Sequence, residues 1–186
     1  MAQEDEKCLF LGVHVVGSWP RSFPPARLIE EEMRHITLAF FGVTSYSRLS
    51  SLLPSMPKPP FPVGLGGMGD YIEFFSHVVA THVTWFEETH LFLEYYTLVQ
   101  AWLNAHGYPT DTRPYNPHIT LARQPFSFHD WKQIISPIPF YATGIHLYES
   151  LGHSHYKPLW EIPLPAPFEE IEHTADIAFL VRGMAL

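Results

Sequence analysis

The stretches RHITLAFFG (residues 34–42) and PHITLAR (residues 117–123) contain the same five-residue word, HITLA. Both copies are rich in residues that favour β-structure, so each is predicted to form a strand. Successive side chains of a strand point to opposite faces. The histidine and threonine of each copy therefore share one face, and the isoleucine and leucine share the other. Two such strands facing each other would bring two imidazoles and two hydroxyls to one cleft.

These polar side chains, His35, Thr37, His118 and Thr120, are the components of an acid–base site. Imidazole titrates near neutral pH, so one histidine can accept a proton while the other donates one. Threonine hydroxyls can donate hydrogen bonds to phosphoryl oxygens and stabilise developing charge. The set predicts metal-free hydrolysis of a phosphodiester. The alternative is a pair of half-buried strands whose histidines only pack or form caps.

The composition is that of one globular domain with a sizeable core. Hydrophobic residues make up 46% of the 186 residues and charged residues 16%. No apolar run is long enough to cross a bilayer, and the acidic N-terminus has the wrong charge for a secretory signal. The single cysteine, Cys8, excludes a disulfide framework. We therefore expect a cytoplasmic monomer without membrane contact.

The charge distribution limits the size of a nucleic-acid partner. The net charge is −8, and acidic residues concentrate at both ends of the chain, which leaves the middle near neutral. Without a basic patch, tight non-specific binding to a long duplex is not expected. A small phosphate ester or a short RNA end is compatible with such a surface.

Strands and helices interleave along the chain. The helix at residues 89–107 is the best defined, because apolar residues recur at three- and four-residue spacing and Gly107 suits the end of a helix. Gly42 is expected to end the strand of the first word. Strands are predicted at residues 7–16, 35–42, 61–75, 77–86 and 117–123 with a closing hairpin over 141–164, and short helices at 26–33, within 45–60 and at 127–136. This order indicates an α+β or α/β protein.

The two words and their flanks resemble the paired HxTx signature of the two-histidine (2H) phosphoesterase superfamily. The closest resemblance is to its LigT-type branch, the RNA 2',3'-cyclic phosphodiesterases also called 2'-5' RNA ligases. CLFLGVHV is similar to the opening strand of that branch, HITLAFFG to its HxTLxFLG, and TRPYNPHITLAR to its RPFxPHITLxR. IHLYES and HYKPLWEIPL are similar to its closing hairpin. The resemblance defines a domain over residues 1–165.

The resemblance implies an α+β fold with two lobes related by an approximate twofold, in which two antiparallel sheets flank a central cleft and helices lie outside. His35 and His118 would be the catalytic acid–base pair, and Thr37 and Thr120 would hold the phosphate. Arg123 matches a family arginine that follows the second motif. The implied reaction opens a 2',3'-cyclic phosphate, on an RNA end or a small cyclic nucleotide, to leave a 2'-phosphate. No metal or cofactor is implied.

Three further groups of residues have competing interpretations. Strict strand alternation puts Arg123 on the face opposite His118, so it reaches a phosphate only if the strand twists or ends there; a surface role is the alternative. Tyr115 precedes the second word and is a candidate for stacking on a base, with core packing as the commoner fate. Trp85 and Tyr156 have the same two interpretations, and packing is favoured still more for them. His153 and His155, with His146 upstream, could form a metal site, but a turn in the closing hairpin is the plainer account.

The C-terminal region, residues 166–186, is a separate extension. Residues 168–183 resemble the opening of archease, a small protein that assists RNA ligation. Asp176 matches an aspartate associated with metal binding there, but we assign it no site because the rest of that domain is missing. The likeness makes an RNA ligase a possible partner. The segment before the first word is shorter than is usual in the LigT-type branch, so a non-catalytic RNA-end binding module is one alternative function. A 2'-5' RNA ligase that acts on tRNA halves is another.

Overall fold

The computed structural model describes residues 5–86, 89–134 and 137–165, so the extension predicted at residues 166–186 lies outside the described residues. Within the described part, no helix is long and apolar enough to span a membrane. The strands are β1 (Glu6–Gly17), β2 (Arg27–Leu28), β3 (His35–Ser45), β4 (Gly66–Phe75), β5 (Val78–Trp85), β6 (His118–Arg123), β7 (Ile138–Gly152) and β8 (His155–Pro163). The helices are α1 (Tyr46–Leu52), α2 (Thr89–Ala105) and α3 (Phe128–Trp131), with single 3-10 turns at Glu31–Met33 and Leu53–Ser55.

Six strands form a closed antiparallel ring in the order β1-β3-β6-β5-β4-β7, which returns to β1. β8 extends the sheet from β7, and β2 pairs with β6. The sheet-rich α+β class is therefore confirmed. The strands form one continuous sheet instead of the two that were expected, because β3 and β6 pair at Ile36 and Ile119 and close the ring. The approximate twofold stays a prediction.

Each strand of the ring has a core face and an opposite face, and the opposite face that carries His35 and His118 is here called the site face. On β1, Leu9, Leu11, Val13 and Val15 are each 0% exposed and belong to the single apolar core. The alternate residues Phe10, Gly12 and His14 lie on the site face. Helix α2 completes the core through a buried stripe at helical spacing: Phe92, Tyr95, Val99, Trp102 and Leu103. As predicted, Gly107 follows this helix with φ of +76°.

Residues 26–33 do not form the predicted helix. The backbone pairs with the sheet instead. Arg27 and Leu28 pair with β6, and the N–H of Ile29 donates to the carbonyl of Leu121 at 2.9 Å. Only the 3-10 turn at Glu31–Met33 is helical. The prediction that Gly42 ends its strand is also wrong. Gly42 has φ of +70° at a shift in the β1–β3 register, and the strand continues to Ser45.

Both HITLA words contain a β-bulge at the same position, the leucine. The β1–β3 register passes from Gly12–Thr37 to Leu11–Ala39 and omits Leu38. The β5–β6 register passes from Ala80–Thr120 to Val79–Ala122 and omits Leu121. The leucine and alanine of each word consequently both face the core, where Leu38, Ala39, Leu121 and Ala122 are at most 7% exposed. Each bulge returns the residue after the word, Phe40 or Arg123, to the site face.

Candidate active site

The two HITLA strands are neighbours, and their register interlocks the polar residues. The antiparallel pairing of Ile36 with Ile119 sets His35 across from Thr120 and Thr37 across from His118. Residues directly opposite in such a pair have Cβ atoms about 5 Å apart. Ile36 and Ile119 are each 0% exposed and anchor the pair in the core. Each histidine thus faces the threonine of the other word.

The two imidazoles are held in the same way. Nδ1 of His35 lies 2.7 Å from the carbonyl oxygen of Met33, and Nδ1 of His118 lies 2.9 Å from that of Asn116. In both cases the acceptor is two residues before the histidine. A carbonyl only accepts hydrogen bonds, so Nδ1 carries the hydrogen and donates it. The neutral rings therefore present Nε2 as the nitrogen that can gain a proton.

His35 lies deep in the site. It is 8% exposed, and its ring packs against Phe10 at 4.7 Å and Tyr148 at 5.0 Å between ring centroids. Burial lowers the pKa of its imidazole to about 4, and the electrostatic influence of His14, His118 and Arg123 acts in the same direction. The structure therefore favours a neutral His35 that is ready to accept a proton.

His118 borders an open cleft of about 860 Å³. Thr37 and His118 line this cleft together with Phe40 and Phe75, and the Phe75 ring lies 5.1 Å from the His118 imidazole. The segment between α2 and β6 forms another wall, at residues 109–116. His35, Thr120 and Arg123 are not part of the lining. The cleft thus opens onto the Thr37–His118 half of the site, while His35 lies behind it.

Arg123 lies on the site face, which strict alternation along the strand does not predict. The bulge at Leu121 shifts the alternation by one residue. Arg123 therefore lies on the same face of β6 as His118. Its Nη2 atom donates to the hydroxyl oxygen of Tyr156 at 3.3 Å, and the ring of Tyr156 meets that of His35 at 5.4 Å. Arg123 is therefore close enough to His35 to influence its charge state.

Tyr115 has a packing position next to the site. Its ring stacks on Tyr96 at 3.8 Å, and its hydroxyl donates to the backbone carbonyl of Thr37 at 2.8 Å. Burial raises its pKa. These contacts tie the loop before β6 to β3 and so hold the two words together. Stacking of Tyr115 on a base stays a prediction.

A second pair of imidazoles lies on the site face beside His35. His14, opposite His35 in the β1–β3 register, stacks on His146 with ring centroids 4.9 Å apart. Burial lowers the pKa of both rings, that of His146 to about 4, while Glu161 opposes the shift. Among the described residues, no three histidine, cysteine or acidic side chains are grouped closely enough to hold a metal ion.

His153, considered above for a metal site, lies in the turn of the closing hairpin. His153 and Ser154 have φ of 52° and 72°, and Gly152 pairs with His155 across them. Two central residues with positive φ are typical of a type I' hairpin turn. His153 and Ser154 therefore form the predicted turn of the closing hairpin.

The sequence analysis missed the contribution of Gly12 to the site, and for Tyr156 it considered only stacking on a base or core packing. Gly12 leaves the space that the His35 ring occupies, since a Cβ there would lie 3.0 Å from His35 Cδ2. A glycine inside an otherwise β-rich strand is a signal of close approach and could have been noticed. Tyr156 meets both His35 and Arg123, but no local pattern connects residue 156 with residues 35 and 123.

Comparisons with known proteins point to one group of enzymes, although no family model matches the chain. The RNA 2',3'-cyclic phosphodiesterase of Geobacillus stearothermophilus is 32% identical over 116 residues, which cover 58% of this chain and 35% of that protein. The RNA 2',3'-cyclic phosphodiesterase of Thermotoga maritima is 25% identical over 122 residues, which cover 62% and 63%. The matches thus span less than two thirds of these relatives.

Solved structures share the fold. E. coli LigT complexed with 3'-AMP has a TM-score of 0.61 and 22% identity, covering 86% of this chain and 98% of that one. A crystal structure of a phosphoesterase gives a TM-score of 0.60 at 20% identity, with 86% and 99% covered. The TT0787 protein of Thermus thermophilus gives 0.56 at 21% identity, with 86% and 99% covered. At these identities the likeness concerns the fold alone.

Proposed function

We propose that this chain is a 2H phosphoesterase of the LigT type, a cyclic phosphodiesterase that opens the 2',3'-cyclic phosphate of an RNA end or a small nucleotide. The observation that supports this most strongly is the matched placement of His35 and His118. Both imidazoles donate from Nδ1 to the carbonyl two residues earlier and leave Nε2 for proton transfer. The named activity of the curated relatives agrees with this chemistry.

In the proposed reaction, His35 is the general base and His118 the general acid. His35 is neutral because burial disfavours its protonated form. Its Nε2 takes a proton from water as the water oxygen forms a bond to phosphorus. The bond from phosphorus to the 3' oxygen breaks, and protonated His118 supplies the proton for that oxygen. The products are a 3' hydroxyl and a 2'-phosphate, and proton exchange with solvent through the cleft restores both histidines.

The remaining side chains would stabilise the charge that develops on the phosphoryl oxygens. Thr37 and Thr120 offer hydroxyl donors from opposite strands, and Arg123 offers a guanidinium on the same face. The approximate twofold implied by the two words would let Thr37 and Thr120 approach the phosphate from opposite sides. None of these roles requires a metal ion. An RNA ligase as partner through residues 166–186 is a separate part of the proposal.

The experiment is incubation of the protein with a short RNA that ends in a 2',3'-cyclic phosphate, with a chelator present and the products mapped. We expect 2'-phosphate from the wild type and a loss of at least about a hundredfold in His35→Ala and His118→Ala, since acid–base catalysis contributes that much. His129→Ala removes an exposed imidazole from α3 and is the matched control. Binding of the RNA without turnover would instead identify a non-catalytic RNA-end binding module.

A further inference from the structure

The tip of the closing hairpin folds against the site. The turn at His153–Ser154 brings β8 back along β7, and Tyr156 is the second residue of that strand. The neighbouring imidazole of His155 lies 3.5 Å from the carboxylate of Glu30, in the segment that leads into β3. Tyr156 is therefore placed beside the first HITLA word although it lies far from it in sequence.

Tyr156 meets two of the proposed active-site residues with different parts of its side chain. Its ring lies edge-on to His35, at 5.4 Å, and to Phe10, at 5.2 Å. Its hydroxyl oxygen lies 3.3 Å from Nη2 of Arg123. Tyr156, like His35 and Arg123, is not among the residues that line the open cleft at Thr37 and His118.

Because Arg123 donates its hydrogen bond to Tyr156, the hydroxyl hydrogen of Tyr156 is not used in that bond. A guanidinium has donors and no acceptor, so Arg123 donates and the Tyr156 oxygen accepts. The hydroxyl hydrogen of Tyr156 is therefore available to another acceptor, and none of the hydrogen bonds among the described residues uses it. A partly exposed O–H donor fixed by a cation is well suited to an anionic oxygen.

We propose that Tyr156 is a further catalytic residue whose hydroxyl donates a hydrogen bond to a non-bridging phosphoryl oxygen, on the His35 side of the site. The inference rests on the proposed function, because it takes the phosphate between the two HITLA words as given. Tyr156 and Arg123 then hold the phosphate from one side while Thr37 holds it from the cleft side. Hydrogen bonds to charged groups contribute enough for a change of about tenfold or more when one is removed.

The test compares Tyr156→Phe with the wild type, since phenylalanine keeps the ring contacts with His35 and Phe10 and removes only the hydroxyl. We expect kcat/KM on a nucleoside 2',3'-cyclic phosphate to fall about tenfold. Tyr141→Phe, which removes an exposed hydroxyl from β7, is the matched control and should change nothing. The same pair of variants is titrated with inorganic phosphate, where Tyr156→Phe should bind more weakly.

A double-mutant cycle separates a direct contact from an indirect one. In an Arg123→Ala background, Tyr156→Phe should still cost several-fold in kcat/KM and in phosphate affinity. If the loss disappears in that background, Tyr156 acts only by positioning Arg123 and the proposal is overturned. It is equally overturned if Tyr156→Phe matches the wild type in both assays. If the wild type shows no turnover but Tyr156→Phe still weakens phosphate binding, the proposed activity fails while the contact stands.

Discussion

Gly12 lies directly beneath the imidazole of His35, so that a Cβ on Gly12 would come within 3.0 Å of His35 Cδ2 and 3.2 Å of the Ile36 carbonyl oxygen. Both distances are shorter than ordinary van der Waals contacts, and one of them involves backbone. The absence of a side chain at residue 12 is therefore part of the way in which the site holds His35.

Gly12→Ala should displace the His35 ring and lower kcat by at least about tenfold, because small errors in the placement of a catalytic group are costly. Gly144→Ala is the matched control: a Cβ there would meet Nε2 of His146 at 3.0 Å and leave His35 in place. Steady-state kinetics and thermal unfolding of both variants separate the two effects. Equal activity in the two variants would contradict the role given to Gly12.

Thr37→Val and Thr120→Val should each lower kcat/KM about tenfold to a hundredfold, because each removes one hydroxyl donor from the phosphate and keeps the size of the side chain. Thr44→Val, in β3 beyond the word, is the control for a threonine lost from the same strand. The measurement is hydrolysis of a nucleoside 2',3'-cyclic phosphate. Rates at the wild-type level in both variants would remove the threonines from the site.

Arg123→Lys tests the consequence of the bulge at Leu121. Lysine keeps the charge but lacks the planar fork of donors, so it cannot hold Tyr156 and a phosphate in the same geometry. We expect KM to rise several-fold in Arg123→Lys and further in Arg123→Ala. Arg21→Ala, which removes an exposed guanidinium outside the site, serves as control. If Arg123→Ala leaves KM unchanged, Arg123 has only a surface role.

Stability should decrease on mild acidification because of the buried imidazoles. In the unfolded chain His146 takes up a proton at its ordinary pKa of 6.5, whereas burial holds the folded value to about 4. The unfolded chain binds more protons in this window, so stability is complete above about pH 6.5 and falls as the pH drops towards 4. His35 contributes in the same direction.

The measurement is urea unfolding of the wild type and His146→Gln at about pH 7 and pH 5. At pH 5 the titration of His146 should have cost the wild type about 2 kcal/mol, a loss that His146→Gln does not incur. The variant should therefore lose less stability than the wild type between the two pH values. Parallel losses in the two proteins would show that His146 is not shielded from water in the folded state.

The sequence was sufficient to predict most strands, the main helix and the face that the histidine and threonine of each word share. The alternation within HITLA determines that His35 and Thr37 share a face, and the structure has both words side by side in one sheet. Apolar spacing likewise determined the extent of α2 within two residues, because a buried helical face leaves a strong pattern. Local rules apply wherever the backbone is regular.

The rest depended on contacts between distant segments. The bulge at Leu121, which turns Arg123 to the site face, arises from the pairing of β6 with β5 and has no signature within PHITLAR. The helix predicted at residues 26–33 is absent because β6 offers partners for Arg27 and Leu28. Tyr156 meets His35 only because the β7–β8 hairpin returns the chain to the site. Closure of the sheet into one ring is a property of the whole set of strands.

That closure also affects how molecules of this protein behave towards one another at high concentration. An unpaired strand edge is a template onto which another chain can add, whereas ring strands have neighbours on both sides. Among the described residues, β8 is the longer of the two strands with a single neighbour. It carries Pro158 and Pro163, which lack an N–H donor, and the exposed charges of Lys157 and Glu161. Edge-to-edge aggregation is thereby opposed at the place where the sheet is most open to it.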